Sequence, residues 1–330
     1  MARQSNIELC RIVSIVLVIF VHTTFQSLGW DCSSLVILLL AAFSIIGVNV
    51  FVLISGLFSA APKKISLAKL LFICFFWVAI SVIIRYSFGL PVGWRDYFFV
   101  TKSNWFIPCY LCLLFFSPVL NVFCTSVDKR VLLGVTMALF FFEVWFDFLP
   151  PHPKVSLGSQ RGYSVLSFIA LYLLARYIRL YGVPQWFRRR SLLIYLLCSL
   201  VLSGVAFLCI KIGHPVTKWI YSYSNPLIIL SSVSFLLMFE RIHMEDNRII
   251  NHIAKSALAV LLGQSAITFL YCNQFRYLFT HFSSAKRIVF WVLSVAVVFV
   301  ASIAVDQVRQ LIWKPIDRSL RMHIKKNELF

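Results

Sequence analysis

Long apolar runs, separated by short polar or basic segments, recur along the whole chain of 330 residues. The runs are apolar on every side and lack the alternation of barrel strands, so they predict helices. Each run can cross the hydrocarbon core of a bilayer, which takes about 20 helical residues. The pattern therefore predicts an all-α, polytopic membrane helix bundle that forms a single domain over residues 1–330. The ten predicted spans cover residues 7–28, 35–58, 67–88, 104–125, 130–149, 163–181, 191–211, 219–240, 253–273 and 287–309.

Composition agrees with a membrane protein. Hydrophobic residues make up 60% of the chain and charged residues 13%, whereas soluble domains are about half apolar and about a quarter charged. The net charge of +19 would suggest a nucleic-acid partner in a soluble protein. Here the basic residues lie in short loops between apolar runs, so topology and anionic lipid headgroups account for them. The lipid bilayer is the predicted partner, and nucleic acid is not.

The distribution of basic residues predicts the orientation. Ten spans place both termini on the same side, and lysine and arginine are about twice as frequent in the loops that share the side of the N-terminus. Both termini are therefore predicted to be cytoplasmic. Two segments at the predicted outer face, 89–103 and 150–162, are rich in glycine, proline and aromatic residues. They are either covers of a substrate site or ordinary connectors.

Two ionisable residues, Arg11 and His22, lie inside the first predicted span. Eleven residues at about 100° each give three turns plus roughly 20°, so both side chains share one helix face, roughly 16 Å apart along the axis. A donor with an anionic head and a long thin arm, such as a coenzyme A thioester, would place its phosphates near Arg11 and its reactive end near His22. A neutral histidine there could act as a general base. A snorkelling arginine and a hydrogen-bonded buried histidine explain the same spacing without catalysis.

Several motifs resemble a known family of membrane enzymes. Arg11, ten intervening residues and His22 reproduce the R-x10-H motif of the acyltransferase-3 family, and Ile46–Phe58 (IGVNVFVLISGLF) is similar to its G-V-D/N-x-F-F/V-x-x-S-G stretch. Weaker similarities to the family, or to its branch that modifies bacterial surface polysaccharides, lie in Ser103–Leu111, Ser117–Leu120, Gly162–Arg179 and Ser222–Phe239.

The resemblance implies a function and a set of site residues. It implies about ten spans in the bacterial cytoplasmic (inner) membrane and transfer of an acyl group, usually acetyl, from acyl-CoA to a glycan. His22 is then the catalytic residue, and Arg11 is its partner or a donor-binding group. The residues expected to bind substrate are Asn49, Ser55, Trp105 and Tyr110. For Trp105 and Tyr110, membership of an interfacial aromatic belt is the alternative explanation.

The chain also departs from the family pattern. Where many members carry arginines after the second span, this chain has Lys63, Lys64 and Lys69, which are expected to bind the donor phosphates as point charges. Asn49 replaces the aspartate of many members and cannot act as a base. Gln264 stands where many members carry a histidine.

Other polar residues leave alternatives open. Glu143 and Asp147 lie four residues apart on one face of the fifth span, so they either contact substrate or serve a structural, interfacial role. His152 is expected to be a solvated loop residue, and Arg188, Arg189 and Arg190 a topology anchor. No motif has metal-ligand spacing, so no metal is predicted, and acetyl-CoA is expected as a co-substrate rather than a bound cofactor.

A membrane transporter or flippase of a glycan precursor is the alternative function. It accounts for the many spans and for buried polar groups, but it does not require an arginine and a histidine on one face of the first span. Binding of acyl-CoA discriminates the two functions, because a transporter of glycan precursors has no need to bind it.

Overall fold

The computed structural model describes residues 4–26, 34–98, 104–148, 157–214, 217–281 and 284–327. Within these ranges all regular structure is helical and no strand occurs, which confirms the predicted all-α class. Parts of the two predicted outer segments, residues 99–103 and 149–156, lie outside the described residues, and so does His152.

Fourteen α-helices are described. They are α1 (Ser5–Val21), α2 (Leu35–Ser44), α3 (Gly47–Leu57), α4 (Lys64–Ser87), α5 (Phe106–Ser126), α6 (Lys129–Phe148), α7 (Val165–Tyr181), α8 (Gln185–Arg189), α9 (Ser191–Lys211), α10 (Thr217–Ile220), α11 (Pro226–Glu240), α12 (Arg248–Ala254), α13 (Ala257–His281) and α14 (Ser284–Asn327). One π-helical turn and two short 3-10 turns accompany them: His22–Gln26, Trp94–Tyr97 and Gln160–Gly162.

Seven described segments are long and apolar enough to cross a bilayer, so the polytopic membrane bundle is as predicted. The other three predicted spans coincide with α7, α11 and α13. Of these, α11 has 15 residues, and the apolar part of α13, Ala257–Thr268, is likewise shorter than a straight crossing needs. The seven segments are Ser5–Phe25, Leu35–Leu57, Lys64–Ser87, Phe106–Ser126, Lys129–Phe148, Ser191–Lys211 and Lys286–Met322.

The second predicted span, 35–58, is interrupted between α2 and α3. At the first residue of α3, Gly47 approaches α1 closely: a Cβ there would lie 2.7 Å from both the Ser14 carbonyl oxygen and Val18 Cγ2. Only glycine allows α3 to pack this closely. Helix α3 is therefore packed tightly against the middle of α1.

The helices form two compact units. The first comprises Met1–Ala61 and Pro108–Ala254, and the second comprises Pro62–Ile107 and Lys255–Phe330. In the first unit, α1 packs against α2, α3, α11 and α12, while α3 also packs against α7. In the second unit, α4, α13 and α14 pack against one another. The first unit therefore carries the helix that bears both Arg11 and His22.

A buried ion pair lies inside the second unit. The side chains of Asp306 and Arg309 are fully buried and paired on α14, and Ser256 and Gln310 donate hydrogen bonds to Asp306 Oδ2 at 2.7 and 2.9 Å. Further hydrogen bonds reduce the cost of burying such a pair, although Arg309 Nη1 has no hydrogen-bond partner among the described residues. Arg309 ends the last predicted span, and α14 continues beyond it to Asn327. Its side chain is fully buried.

Candidate functional site

The first helix presents Arg11 and His22 as the spacing predicts. Helix α1 is continuous from Ser5 to Val21, and His22 continues it with right-handed helical angles, φ −67° and ψ −38°. The two residues therefore share one face, about 16 Å apart along the axis. Ile15 and Val18 lie between them on that face and are buried, with 0% and 3% of their surface exposed. The face between the two ionisable side chains is thus packed and apolar.

His22 opens a π-helical turn that ends at Gln26. Two threonine hydroxyls bond back to the preceding turn: Thr23 donates to the carbonyl oxygens of Ile19 and Phe20, and Thr24 donates to those of Phe20 and Val21. Back-bonding of this kind often bends a helix locally. Single π turns inside helices are rare and frequently lie at functional sites.

Arg11 is paired within its own helix. Its Nη1 donates to Glu8 Oε2 at 2.8 Å, and the side chains of Arg11 and Glu8 are 28% and 10% exposed. A half-buried pair of this kind holds the guanidinium in place and leaves part of it accessible. An anionic donor that reached Arg11 would compete with Glu8 for the same guanidinium.

Asn49 connects α3 to the segment just before α11, where the resemblance to the family over Ser222–Phe239 begins. Its side chain is 1% exposed, and its Nδ2 donates to the Tyr223 carbonyl oxygen at 3.1 Å. Two residues earlier, the ring of Tyr221 packs edge-on against Phe25 of the π turn, with centroids 5.0 Å apart. Residues 221–224, here called the Tyr-Ser segment for their sequence Tyr-Ser-Tyr-Ser, therefore contact both Asn49 and the π turn that begins at His22.

Ser55 and Tyr110, both predicted to bind substrate, are brought together. Their hydroxyl oxygens are 3.0 Å apart, and Ser55 Oγ also lies 3.1 Å from the Phe51 carbonyl oxygen. Because Ser55 donates its single proton to Phe51, the Tyr110 hydroxyl donates to Ser55. The pair fixes the tyrosine hydroxyl beside α3.

The other predicted site residues belong to the second unit. The Trp105 ring packs against Phe106, with centroids 6.3 Å apart. Lys63 is the residue that precedes α4, Lys64 is its first residue, and Lys69 lies in its second turn. Lys63 and Lys64 are exposed and Lys69 is half-buried. The positive end of a helix dipole favours an anion at this position. Binding of the donor phosphates there stays a prediction.

Asp147 is buried and connects α6 to two other segments by hydrogen bonds. Only 8% of its surface is exposed, and its two oxygens accept hydrogen bonds of 2.6 Å from Ser159 and Ser224. Ser224 is also 2.8 Å from Ser222 within the Tyr-Ser segment. One turn earlier on α6, Glu143 is 1% exposed, and its Oε1 has no hydrogen-bond partner among the described residues. The pattern of α6 indicated that the two acids share a face, but it could not indicate a serine 77 residues away.

A cleft of about 430 Å³ lies at the opposite end of the first unit, where α1 begins and α7 and α11 end. Its lining includes Asn6, Arg179, Arg188 and Glu240. Arg188 and Glu240 form an ion pair of 3.4 Å. The start of α1 lies about 9 Å along the helix axis from Arg11. This end of the unit is the one predicted to face the cytoplasm.

Comparison with known protein families gives one match. A family model described as an acyltransferase domain matches residues 4–306. The matched range includes Arg11, His22 and Asn49, and it spans nearly the whole chain. Comparisons with curated proteins and with solved structures found no match.

Proposed function

Because the chain belongs to the acyltransferase-3 family, we propose that it transfers an acyl group, most simply acetyl, from acyl-CoA to a hydroxyl of a cell-surface or lipid-linked polysaccharide. The observation that carries the proposal is the placement of Arg11 and His22 on one face of a continuous helix inside the matched range. A bacterial cytoplasmic membrane, with the donor on the inner side, fits this assignment.

In the proposed reaction, His22 acts as the general base. It takes the proton of the acceptor hydroxyl as the hydroxyl oxygen attacks the thioester carbonyl carbon. A carbon–oxygen bond forms, the carbon–sulfur bond breaks, and the same proton then neutralises the departing thiolate to give free coenzyme A. A positioned base of this kind contributes about 10²- to 10⁴-fold to a rate.

The donor's anionic head is assigned to the end of α1 nearest the predicted cytoplasm. Arg11 exchanges its bond to Glu8 for a phosphate, and the cleft lined by Arg179 and Arg188 offers further positive charge about 9 Å nearer the start of the helix. Guanidinium groups suit this task because they bind phosphate oxygens in pairs. The lysines at the start of α4, which belong to the second unit, are a separate proposed site for the donor phosphates, which they would bind as point charges.

The acceptor is assigned to the other end of the first unit. Asn49 fixes the Tyr-Ser segment at this end. Tyr110, whose hydroxyl is paired with that of Ser55, is proposed as a further contact of the acceptor within the first unit. Trp105, on the second unit, is a separate proposed contact, since aromatic rings bind the apolar faces of sugars.

The experiment that tests the function uses purified full-length protein in lipid nanodiscs, acetyl-CoA labelled in the acetyl group, and a bacterial polysaccharide acceptor. We expect label to appear in the polysaccharide as an alkali-labile ester. A glycan transporter or flippase would neither bind acetyl-CoA nor produce that ester. Saturable binding of acetyl-CoA without any transfer or hydrolysis would contradict the proposal.

A further inference from the structure

A strained turn precedes α7 at the same end of the first unit as the π turn. Four of its five residues have positive φ angles: 73° at Gly158, 48° at Gln160, 61° at Arg161 and 89° at Gly162. Left-handed angles are ordinary for glycine but disfavoured for glutamine and arginine. Backbone strain of this kind persists only where the surroundings impose it, and it is concentrated at functional sites.

The Tyr-Ser segment imposes this conformation. The carbonyl oxygen of Arg161 accepts hydrogen bonds from Ser222 Oγ at 3.0 Å and from the Tyr223 backbone nitrogen at 3.1 Å. A Cβ at Gly162 would collide with the side chain of Tyr223, so the two backbones are in direct contact. The turn is therefore clamped to the segment that also contacts Asn49 and the π turn.

The clamped turn holds the Arg161 guanidinium over an aromatic ring. Its Cζ lies 4.2 Å from the ring centroid of Trp219, which is a close cation–π contact, and Trp219 is 39% exposed. Within the described residues the Arg161 side chain makes no hydrogen bond and no ion pair. Asp147 of α6 is bonded to the same two segments through Ser159 and Ser224, but it forms no ion pair with Arg161. The Arg161 guanidinium is thus held in place and partly exposed, and it has no carboxylate partner among the described residues.

We propose that Arg161 binds an anionic oxygen-bearing group of the acceptor, and this inference rests on the proposed acyl transfer to a glycan. A guanidinium presents paired donors that match two oxygens of a carboxylate or phosphate, and the contact with Trp219 restricts the position of those donors in advance. The group is either the carboxylate of an acidic sugar or the phosphate of a lipid-linked sugar. The acceptor is therefore selected for its negative charge as well as for its hydroxyl.

The position of Arg161 relates this subsite to the catalytic histidine. The Tyr-Ser segment bonds Arg161 through Ser222 and Tyr223, and it contacts Phe25, three residues after His22, through Tyr221. One short segment thus ties the anion subsite to the turn that carries the proposed base. Because the Tyr-Ser segment fixes the position of Arg161 relative to the π turn, an acceptor bound at Arg161 would present its hydroxyl to His22 in a defined position.

The test compares acceptors that differ only in charge. One pair is an oligosaccharide that contains a uronic acid and the same oligosaccharide with its carboxyl group reduced to an alcohol. The other pair is a lipid-linked sugar with its phosphate and the corresponding neutral glycolipid. The variants are Arg161→Gln and Arg161→Lys, and Lys211→Gln is the matched control, since Lys211 also lies over an aromatic ring, at 5.5 Å, without a part in the site.

We expect Arg161→Gln to raise KM for the charged member of one pair by about 10- to 100-fold, because a hydrogen-bonded charge contributes on that scale. Arg161→Lys should lose less, and KM for the neutral acceptors and the rate of acetyl-CoA hydrolysis without acceptor should match the wild type. The affected pair identifies the carboxylate or the phosphate as the anion. Unchanged KM values for both charged acceptors in both variants would overturn the inference.

This outcome is separable from failure of the proposed function. If acetyl-CoA hydrolysis depends on His22 while Arg161→Gln leaves both charged acceptors unaffected, only the anion subsite is wrong. If no transfer or hydrolysis of acetyl-CoA occurs in the wild-type protein, the proposed function itself is wrong. Retained hydrolysis in Arg161→Gln also shows that this variant is folded.

Discussion

The buried carboxylate of Asp147 should make a large contribution to stability. It accepts hydrogen bonds of 2.6 Å from Ser159 and from Ser224, and so joins α6 to two segments that are distant in the chain. Each hydrogen bond to a charged acceptor contributes about 1.5–3 kcal/mol. Asp147→Ala removes both bonds and leaves the buried Ser159 hydroxyl without this acceptor, whereas Ser224 keeps its contact with Ser222. We therefore expect the free energy of unfolding to fall by about 3–6 kcal/mol.

The assay is reversible unfolding of the purified protein in mixed micelles by a titrated denaturing detergent, followed by the change in tryptophan fluorescence. Ser159→Ala and Ser224→Ala should each lower the free energy of unfolding by about 1.5–3 kcal/mol, since each removes one of the two bonds. Ser87→Ala is the control: its exposed hydroxyl bonds only to the Ile83 carbonyl oxygen of its own helix, so a change within about 0.5 kcal/mol is expected.

The result that would refute this reasoning is specific. If both serine variants unfold like the Ser87→Ala control, the hydroxyls do not hold the carboxylate. If Asp147→Ala alone is destabilising, the effect comes from lost packing around α6 rather than from the hydrogen bonds. Ser224 adjoins Tyr223, whose carbonyl oxygen accepts a hydrogen bond from Asn49. Loss of the bond between Asp147 and Ser224 should therefore also lower the rate of acyl transfer, because it loosens the Tyr-Ser segment.

Three further predictions concern other contacts. Gly47→Val should destabilise the protein by about 1–3 kcal/mol in the same unfolding assay, because its side chain would overpack against α1; wild-type stability would contradict the packing described. Asp306→Ala should cost about 3–5 kcal/mol by leaving Arg309 buried without its partner, whereas the double variant Asp306→Leu with Arg309→Met should recover most of that loss; equal stability of single and double variants would contradict this. Tyr110→Phe should raise KM for the acceptor while acetyl-CoA hydrolysis stays unchanged, and an unchanged KM would exclude the tyrosine hydroxyl from acceptor binding.

The sequence predicts those features of the fold that depend on local pattern. Helix positions follow from apolar runs, and the common face of Arg11 and His22 follows from helical periodicity alone. The close packing of α3 on α1 could not be predicted, because it depends on how closely Gly47 approaches a different helix. The burial of Arg309 could not be predicted either, because its partner Asp306 lies inside an apolar run that indicates only a spanning helix.

The candidate site was predictable in part for the same physical reason. His22, Asn49 and Ser55 stand in motifs that can be read along the chain. The Tyr-Ser segment, the contacts of Asp147 and the strained turn at Arg161 are made by residues tens of positions apart, and their roles arise from hydrogen bonds that form only after packing. No periodicity or composition signals such a pairing.

The central claim is that His22 is the base for acyl transfer, and single-turnover transfer of labelled acetyl from acetyl-CoA to a polysaccharide tests it most directly. His22→Ala is compared with His214→Ala, an exposed histidine just beyond the end of α9, and both proteins are checked for the wild-type unfolding transition. We expect His22→Ala to transfer label about 10²- to 10⁴-fold more slowly than the wild type and His214→Ala to match it. A wild-type transfer rate in folded His22→Ala protein would contradict the claim.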